Sequence, residues 1–308
     1  MIIVITRQEI NGKATLNYSW YDVNELNESD IRQLKRLFRL TPAILNYISD
    51  RHERPHYDYD VHTQSELIVY DVPIWPNKEV EHFTTRPIIF LLQGTTVFTF
   101  HNDETAYVFE KFKADRIKEV STATEFIMTF LLHATNYFNQ ALDKINNERN
   151  ILDRKLNGHI INHDLLQLAQ IEKSLIYLSS SIKTNLMMLE DLRHTPLTLQ
   201  ITKESQEKLD DILIEMEQAS RVVQIANDVT GKISRTSNNI LNNNLNDTMK
   251  FLTGWSIILT IPTIGTGFYG MNVDLPFMKL PLAWLLVSGI LVSLMLILYW
   301  FLKRKNIL

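Results

Sequence analysis

FLTGWSIILTIPTIGTGFYGMNV, residues Phe251–Val273, and LPLAWLLVSGILVSLMLILYWFL, residues Leu280–Leu302, decide how the rest of the chain is read. Each stretch is 23 residues long and holds no Asp, Glu, Lys, Arg or His. A helix needs roughly 20 apolar residues to cross the hydrocarbon core of a bilayer, so each is long enough to span with some tilt. No comparable run occurs in the preceding 250 residues. The flanks set the orientation. Lys303-Arg304-Lys305 follows the second span, whereas the connector Asp274–Lys279 carries one acid and one base, which places the C-terminus in the cytoplasm. Two spans return the N-terminal part to the same side. The expectation is a multi-pass protein of the cell membrane, embedded in the lipid bilayer with both termini cytosolic.

The 308 residues are enough for about two domains. The chain has no cysteine, which excludes disulfides, thiolate metal sites and a cysteine nucleophile. Its net charge is −4 and no basic stripe marks the part before the spans, so nucleic acid is not an expected partner. Met1–Arg7 has a short apolar run but no basic region before it and no small-residue cleavage site, and reads as a strand rather than a signal peptide.

Residues 1–115 read as a cytosolic α/β domain. Ile2–Thr6, Glu66–Val72, Ile88–Leu92 and Thr95–Phe100 are rich in β-branched and aromatic residues, and Gly94 marks a hairpin turn. Ser29–Leu40 places Ile31, Leu34, Leu37 and Phe38 on one helical face, and Thr41-Pro42 suits the cap and first residue of a second short helix. Residues 116–200 read as a cytosolic helical hairpin, with helices ending near Leu156 and before Pro196 and a turn at Asn157-Gly158. Residues 201–272 read as a long stalk helix continuing into the first transmembrane helix. Residues 273–280 form an extracytoplasmic loop, 281–302 the second transmembrane helix and 303–308 a basic cytosolic tail. A helix from Lys203 to Tyr269 would be about 100 Å long. Its apolar residues Leu209, Ile212, Met216, Ala219, Val223, Ala226 and Ile233 recur at 3-4 spacing. Such a stripe cannot be buried by one helix and implies neighbours, including copies of the chain.

Within the first span, Gly265-Thr266-Gly267-Phe268-Tyr269-Gly270 satisfies G-x-G-x-x-G. The dinucleotide-binding reading fails for lack of a preceding strand, a following soluble helix and a downstream acid. Close helix packing is the better account, with Thr263 and Gly267, and Thr266 and Gly270, each four apart. A second pattern is more informative. Asn246, Met249, Leu252 or Thr253, Ser256, Thr260, Thr263 and Gly267 are three or four residues apart and share one face. A lone membrane hydroxyl ordinarily bonds to its own helix. A repeated hydroxylated face reads instead as the wall of a water-filled pore. Asn239, Asn242 and Asn246, from a cluster that also holds Asn238, Asn243 and Asn244, lie on that face at its cytosolic end. Their neutral amides suit a cation that keeps its water, as Mg2+ does.

Tyr269-Gly270-Met271-Asn272, ending the first of two C-terminal spans, resembles the YGMN signature of the CorA magnesium transporter family. Asn246-Asp247-Thr248-Met249-Lys250-Phe251-Leu252-Thr253 is similar to that family's first turns of the pore helix, as is Ile261-Pro262-Thr263 to the segment before the signature. The order of α/β domain, helical hairpin and long helix, with the basic tail, extends the resemblance over essentially the whole chain. It implies a CorA-like funnel: a homopentamer whose long helices continue as the pore. It implies that Gly270, Met271 and Asn272 form the selectivity filter, with Asn272 its outer ring. It also implies that Asn246 and Thr263 line polar rings and that Met249 and Leu252 form an apolar constriction. Ser256, Thr260 and Gly267 complete the pore-lining set from the shared face. Two departures stand out: the connector lacks the fuller acidic loop of many members, and Arg235 stands where many relatives present an acid.

Glu204, Glu207, Asp210, Asp211, Glu215 and Glu217 make the start of the long helix acidic, with Lys203 and Lys208 the local bases. The resemblance implies an intersubunit magnesium sensor that includes Asp211. His56, Asp58, Asp60 and His62 alternate and on a strand would share one face, which reads as a solvated edge or loop more readily than as a metal site. No zinc-protease spacing, phosphate-binding loop or nucleophile elbow is present, so an enzyme is not expected. The reading is a potential-driven, Mg2+-gated channel for Mg2+, with Co2+ and Ni2+ as further ions. Two alternatives remain: zinc or another divalent cation carried by a relative of the same superfamily, and a membrane-anchored sensor or scaffold.

Overall fold

The computed structural model describes residues 2–5, 18–115, 120, 122–156, 161–194, 202–273 and 282–305. The element order is β1 (Ile2–Ile5), β2 (Ser19–Asn24), α1 (Glu28–Phe38), α2 (Pro42–Ser49), β3 (His56–Asp60), β4 (Ser65–Ile74), β5 (Thr84–Gln93), β6 (Thr96–His101), α3 (Ala106–Asp115), α4 (Ala123–Leu156), α5 (Asn162–His194), α6 (Lys203–Tyr269) and α7 (Ala283–Arg304). Two compact units result, Met1–Ile233 and Ser234–Leu308. The Asn157-Gly158 turn, Pro196 and the connector 274–281 lie outside the described residues.

The first unit is built on a six-stranded sheet of order β1-β2-β6-β5-β4-β3. Its pairs are antiparallel except β2 with β6. Strand alternation sends the side chains of β4 and β5 to two different cores. Ile68, Tyr70, Val72, Ile88 and Phe90 meet α3, α4, α5 and the first part of α6, whereas Leu67, Val69, Ile89 and Leu91 meet α1 and α2. Both faces of β4 and β5 are thus covered, which is why these strands read as continuous apolar runs. Gly94, at φ +59°, makes the β5–β6 turn that its sequence position predicted. Thr41 caps α2, its Oγ1 accepting from the N–H of Ile44 at 3.4 Å.

Two buried carboxylates tie helices to this sheet. Asp22 on β2 lies 3.0 Å from His101 Nε2 and 2.7 Å from Lys113 Nζ, and accepts from the Thr99 hydroxyl at 2.7 Å. Burial alone would raise this carboxyl; the hydrogen bonds and charge of His101, with Lys113 and Thr99, bring it below its ordinary value. Asp71 on β4 accepts from Ser181 Oγ of α5 at 2.6 Å, and Asn185 brackets its backbone, accepting from Asp71 N at 2.9 Å and donating to Asp71 O at 3.0 Å. Here burial prevails and pushes the carboxyl up to about 6, against the pull of the Ser181 bond and the Arg86 charge.

The structure corrects one inference about α6. Leu209, Ile212, Met216, Ala219, Val223 and Ala226 are buried in the chain's own core with α4, α5 and the sheet. The stripe is therefore satisfied within one chain, and a second copy is not needed to cover it. Elements not foreseen were β2 and α3, and β3 was left between an edge strand and a loop.

In the second unit, α6 and α7 each contain a window long and apolar enough to cross a membrane, with 11% and 6% of those windows buried. Gly254 and Ile258 are buried on α6 and Leu302 on α7, and Gly265 abuts Leu291. A Cβ built on Gly265 would lie 2.5 Å from Leu291 Cδ2, so the absence of a side chain is what allows this approach. A Cβ built on Gly267 would meet nothing within 4 Å beyond its own helix. Within one chain, the small-residue contact is made by Gly265, not by the Thr263 and Gly267 pair.

Candidate ion pathway

The membrane portion of α6 has two opposed faces. Gly254, Ile258 and Gly265 turn inward to the unit. Ser256, Thr260, Thr263 and Gly267 are exposed. A step of two residues rotates a helix by about 200°, so Ser256 lies opposite Gly254, and Thr263 and Gly267 opposite Gly265. The packing of α7 therefore leaves the hydroxylated face uncovered.

These hydroxyls have committed their protons. Ser256 donates to Leu252 O at 2.8 Å, Thr260 to Ser256 O at 2.8 Å and Thr263 to Leu259 O at 2.9 Å. This is what an isolated membrane hydroxyl does, and alone it does not define a pore. It does fix what the face presents: with the O–H turned back, the lone pairs are left pointing outward as acceptors. A hydrated cation turns the O–H groups of its water shell outward, so acceptor-only surfaces match it. Below these hydroxyls, Met249 (57% exposed) and Leu252 (66% exposed) share the face, and Asn246 is exposed at its end. Among the described residues, Asn246 and Asn272 have no side-chain hydrogen bond, leaving both amides able to meet a ligand or its water.

At the other end the chain leaves the helix at the signature. Gly270 N–H donates to Thr266 O at 2.9 Å and Met271 N–H to Phe268 O at 3.3 Å, a tightening turn that ends α6 at Tyr269. A Cβ on Gly270 would crowd Thr266 O at 3.1 Å. Gly270, Met271 and Asn272 are all exposed there.

The acidic start of α6 is less charged than its sequence suggests. Glu207 lies 3.9 Å from Lys203, Glu204 3.8 Å from Lys208, Asp210 3.3 Å from Arg193 and Glu217 3.4 Å from Arg221. Glu215 accepts from Asn139 Nδ2 at 3.0 Å. Asp211 is exposed, and its side chain makes no hydrogen bond or ion pair with another described residue. Arg193 and Arg221 were not visible as partners because one lies on α5 and the other a turn beyond the acids. No group of three or more His, Asp or Glu side chains able to hold a metal is present among the described residues. His56, Asp58 and Asp60 sit on edge strand β3, with His62 in the turn that follows. Asp60 is spent on local structure, accepting from Thr41 Oγ1 at 2.8 Å and from the N–H groups of His62 at 2.8 Å and Thr63 at 3.3 Å.

Residues 16–304 match the family model described as CorA-like Mg2+ transporter protein. The Cobalt/magnesium transport protein CorA of Methanocaldococcus jannaschii is 24% identical over 295 residues, covering 93% of this chain and 90% of that protein. The complete structure of the CorA magnesium transporter from the same organism is similar at TM-score 0.77 and 22% identity, covering 97% of this chain and 93% of that one. The full-length CmaX protein is similar at TM-score 0.70 and 13% identity, covering 99% and 97%. The cytoplasmic domain of ZntB from Vibrio parahaemolyticus is similar at 0.62 and 11%, covering 77% and 93%. Because that family model matches the chain over nearly its whole length, from residue 16 to residue 304, the chain belongs to the CorA-like Mg2+ transporter family.

Proposed function

We propose that this protein is a divalent-cation channel of the cell membrane that carries Mg2+ and Co2+, with Ni2+ as a further ion. The observation that carries the reading is the uncovered acceptor face of α6, opposite the side packed on α7. A helix used only as an anchor has no use for a row of outward lone pairs at membrane depth. Copies of the chain, five in the family-like funnel, would bring these faces together around water. Met249 and Leu252 then form the constriction, and Asn246, Ser256, Thr260, Thr263 and Gly267 line the path. Gly270, Met271 and Asn272 form its mouth. Both chain termini lie on the cytosolic side in this arrangement.

Neutral rings recognise the ion through its hydration shell and release it readily, where a tight charged cage would hold it. The membrane potential supplies about 4.6 kcal/mol per 100 mV to a divalent ion, twice the value for a unit charge, so the transport needs no ATP. Cytosolic Mg2+ bound at Asp211 closes the channel. The test is uptake by purified protein in liposomes, with an inside-negative potential and a panel of Mg2+, Co2+, Ni2+ and Zn2+. Saturable Mg2+ and Co2+ uptake is expected. Uptake of Zn2+ alone would favour zinc transport, and no uptake of any ion would favour a membrane-anchored sensor.

A further inference from the structure

The last turn of α7 carries Lys303 and Arg304, Lys305 follows as its cap, and no Asp or Glu occurs in residues 282–305. Two of these cations are mounted on aromatic rings one turn back: Arg304 lies 5.4 Å from the Trp300 ring centroid and Lys303 5.8 Å from that of Tyr299. Such cation–π contacts hold the charge beside the ring while leaving its hydrogen-bond donors free. Position on the helix settles which way the Arg304 pair faces. Leu302 is 5% exposed, on the packed side of α7, and Arg304 and Trp300 are each two residues away, about 200° around the helix. Both are exposed, Trp300 at 62%. They point away from α6 and so away from its hydroxylated face. Asp247, a nearby acid in the same unit's sequence, is 3.0 Å from Lys250 and already paired.

We infer that Arg304 on Trp300, with Lys303 on Tyr299, forms a binding site for the phosphate of an anionic phospholipid in the leaflet at the C-terminal end of α7. The inference rests on the reading that α6 and α7 cross a bilayer. Trp and Tyr settle at headgroup level, with an apolar body and a polar edge. A guanidinium stacked there has its remaining N–H groups facing the phosphate plane and can bind two phosphate oxygens at once. The outward face and the absence of a carboxylate on α7 select a lipid over a protein acid as the counter-ion. The site is distinct from the ion path, so lipid occupancy brings no phosphate into it.

The test is native mass spectrometry of the full-length protein, delipidated in detergent and titrated with phosphatidylglycerol or phosphatidylcholine. Wild type is expected to bind phosphatidylglycerol in preference, undisturbed by excess inorganic phosphate, which lacks the acyl chains. Arg304→Gln should weaken phosphatidylglycerol binding about fivefold, the effect of one basic residue at an anionic surface, and Arg304→Lys should weaken it less. Trp300→Leu, which keeps every charge, should also weaken it by removing the ring that positions the guanidinium. Equal occupancy by the two lipids, or an unchanged preference in Arg304→Gln, would overturn the site while leaving the channel reading intact. A chain that stays soluble without detergent would overturn both.

Discussion

Thr263 and Gly265 stand two residues apart on α6 and face opposite ways: Gly265 abuts Leu291 of α7, whereas Thr263 is exposed with its hydroxyl turned back to Leu259 O at 2.9 Å. The relationship links packing to function. Whatever seats α7 on the glycine side aims the hydroxyl side at whatever covers the other face.

Gly265→Val tests the packing half. Its Cβ would fall within 2.6 Å of both methyl groups of Leu291, so the leucine must rotate or the helices must part. Overpacking of this kind costs about 1–3 kcal/mol. Thermal melting in detergent should show that loss, and Gly265→Val combined with Leu291→Ala should recover part of it in a double-mutant cycle. Additive losses would place the two residues out of contact.

Asp71 gives the first unit a pH dependence. Burial raises its carboxyl from 3.8 to about 6 in the folded chain, and the unfolded chain keeps the ordinary value. Between those values the folded state holds more protons than the unfolded state. Stability therefore falls as pH rises through that window, by at most about 1.4 kcal/mol per pH unit, and levels off above it. Asp71→Asn should flatten melting temperatures of the full-length protein between pH 4.5 and 6.5. An unchanged slope in the variant would assign the dependence elsewhere.

Much of this architecture is legible in the sequence, and the unread parts have physical causes. β4 and β5 are apolar on both faces because two helical layers cover them, and Gly94 supplies the positive φ their neighbouring turn requires. β2, Ser-Trp-Tyr-Asp-Val-Asn, was unread because the partners of its buried Asp22, namely Thr99, His101 and Lys113, lie 77, 79 and 91 residues onward. The long-range partners decide that strand. α3 is only 10 residues long, and its buried side, Val108, Phe109 and Phe112 with Glu110 and Lys111 exposed between them, extends over little more than one turn, too short a pattern to stand out in the sequence. In α6 the hydroxylated face stands out against an apolar background. Its α7-packed face does not, since Ile258 looks like any membrane residue and the four-residue spacing pointed to Gly267 and Gly270 rather than to Gly265. The apolar stripe of α6 in the first unit was legible as buried, but a helical period does not say whether the same chain or another one does the burying.

Asp211 separates from the other acids at the start of α6 because it alone among the six has no described partner. Glu217, paired with Arg221 at 3.4 Å, provides the control. In patch-clamp recordings, Asp211→Ala should shift inhibition by internal Mg2+ at least about fivefold to higher concentration, the lower end of ordinary allosteric coupling. Glu217→Ala should leave the curve nearly unmoved. Superimposable curves for wild type and Asp211→Ala would show Asp211 to be an ordinary solvated residue of the stalk.

The central claim is that ions pass along the acceptor face of α6 and through the turn at Gly270-Met271-Asn272. It is tested most directly by Mg2+ flux into liposomes under an inside-negative potential, comparing wild type with Asn272→Ala at equal, mass-verified oligomer content. Asn272 is exposed and has no described side-chain partner, so its loss should leave assembly unchanged while removing the amide that we propose meets the hydrated ion. The account predicts saturable flux in wild type and at least a tenfold loss, on the order of 1.4 kcal/mol or more, in Asn272→Ala. Undiminished flux through a correctly assembled variant would contradict it.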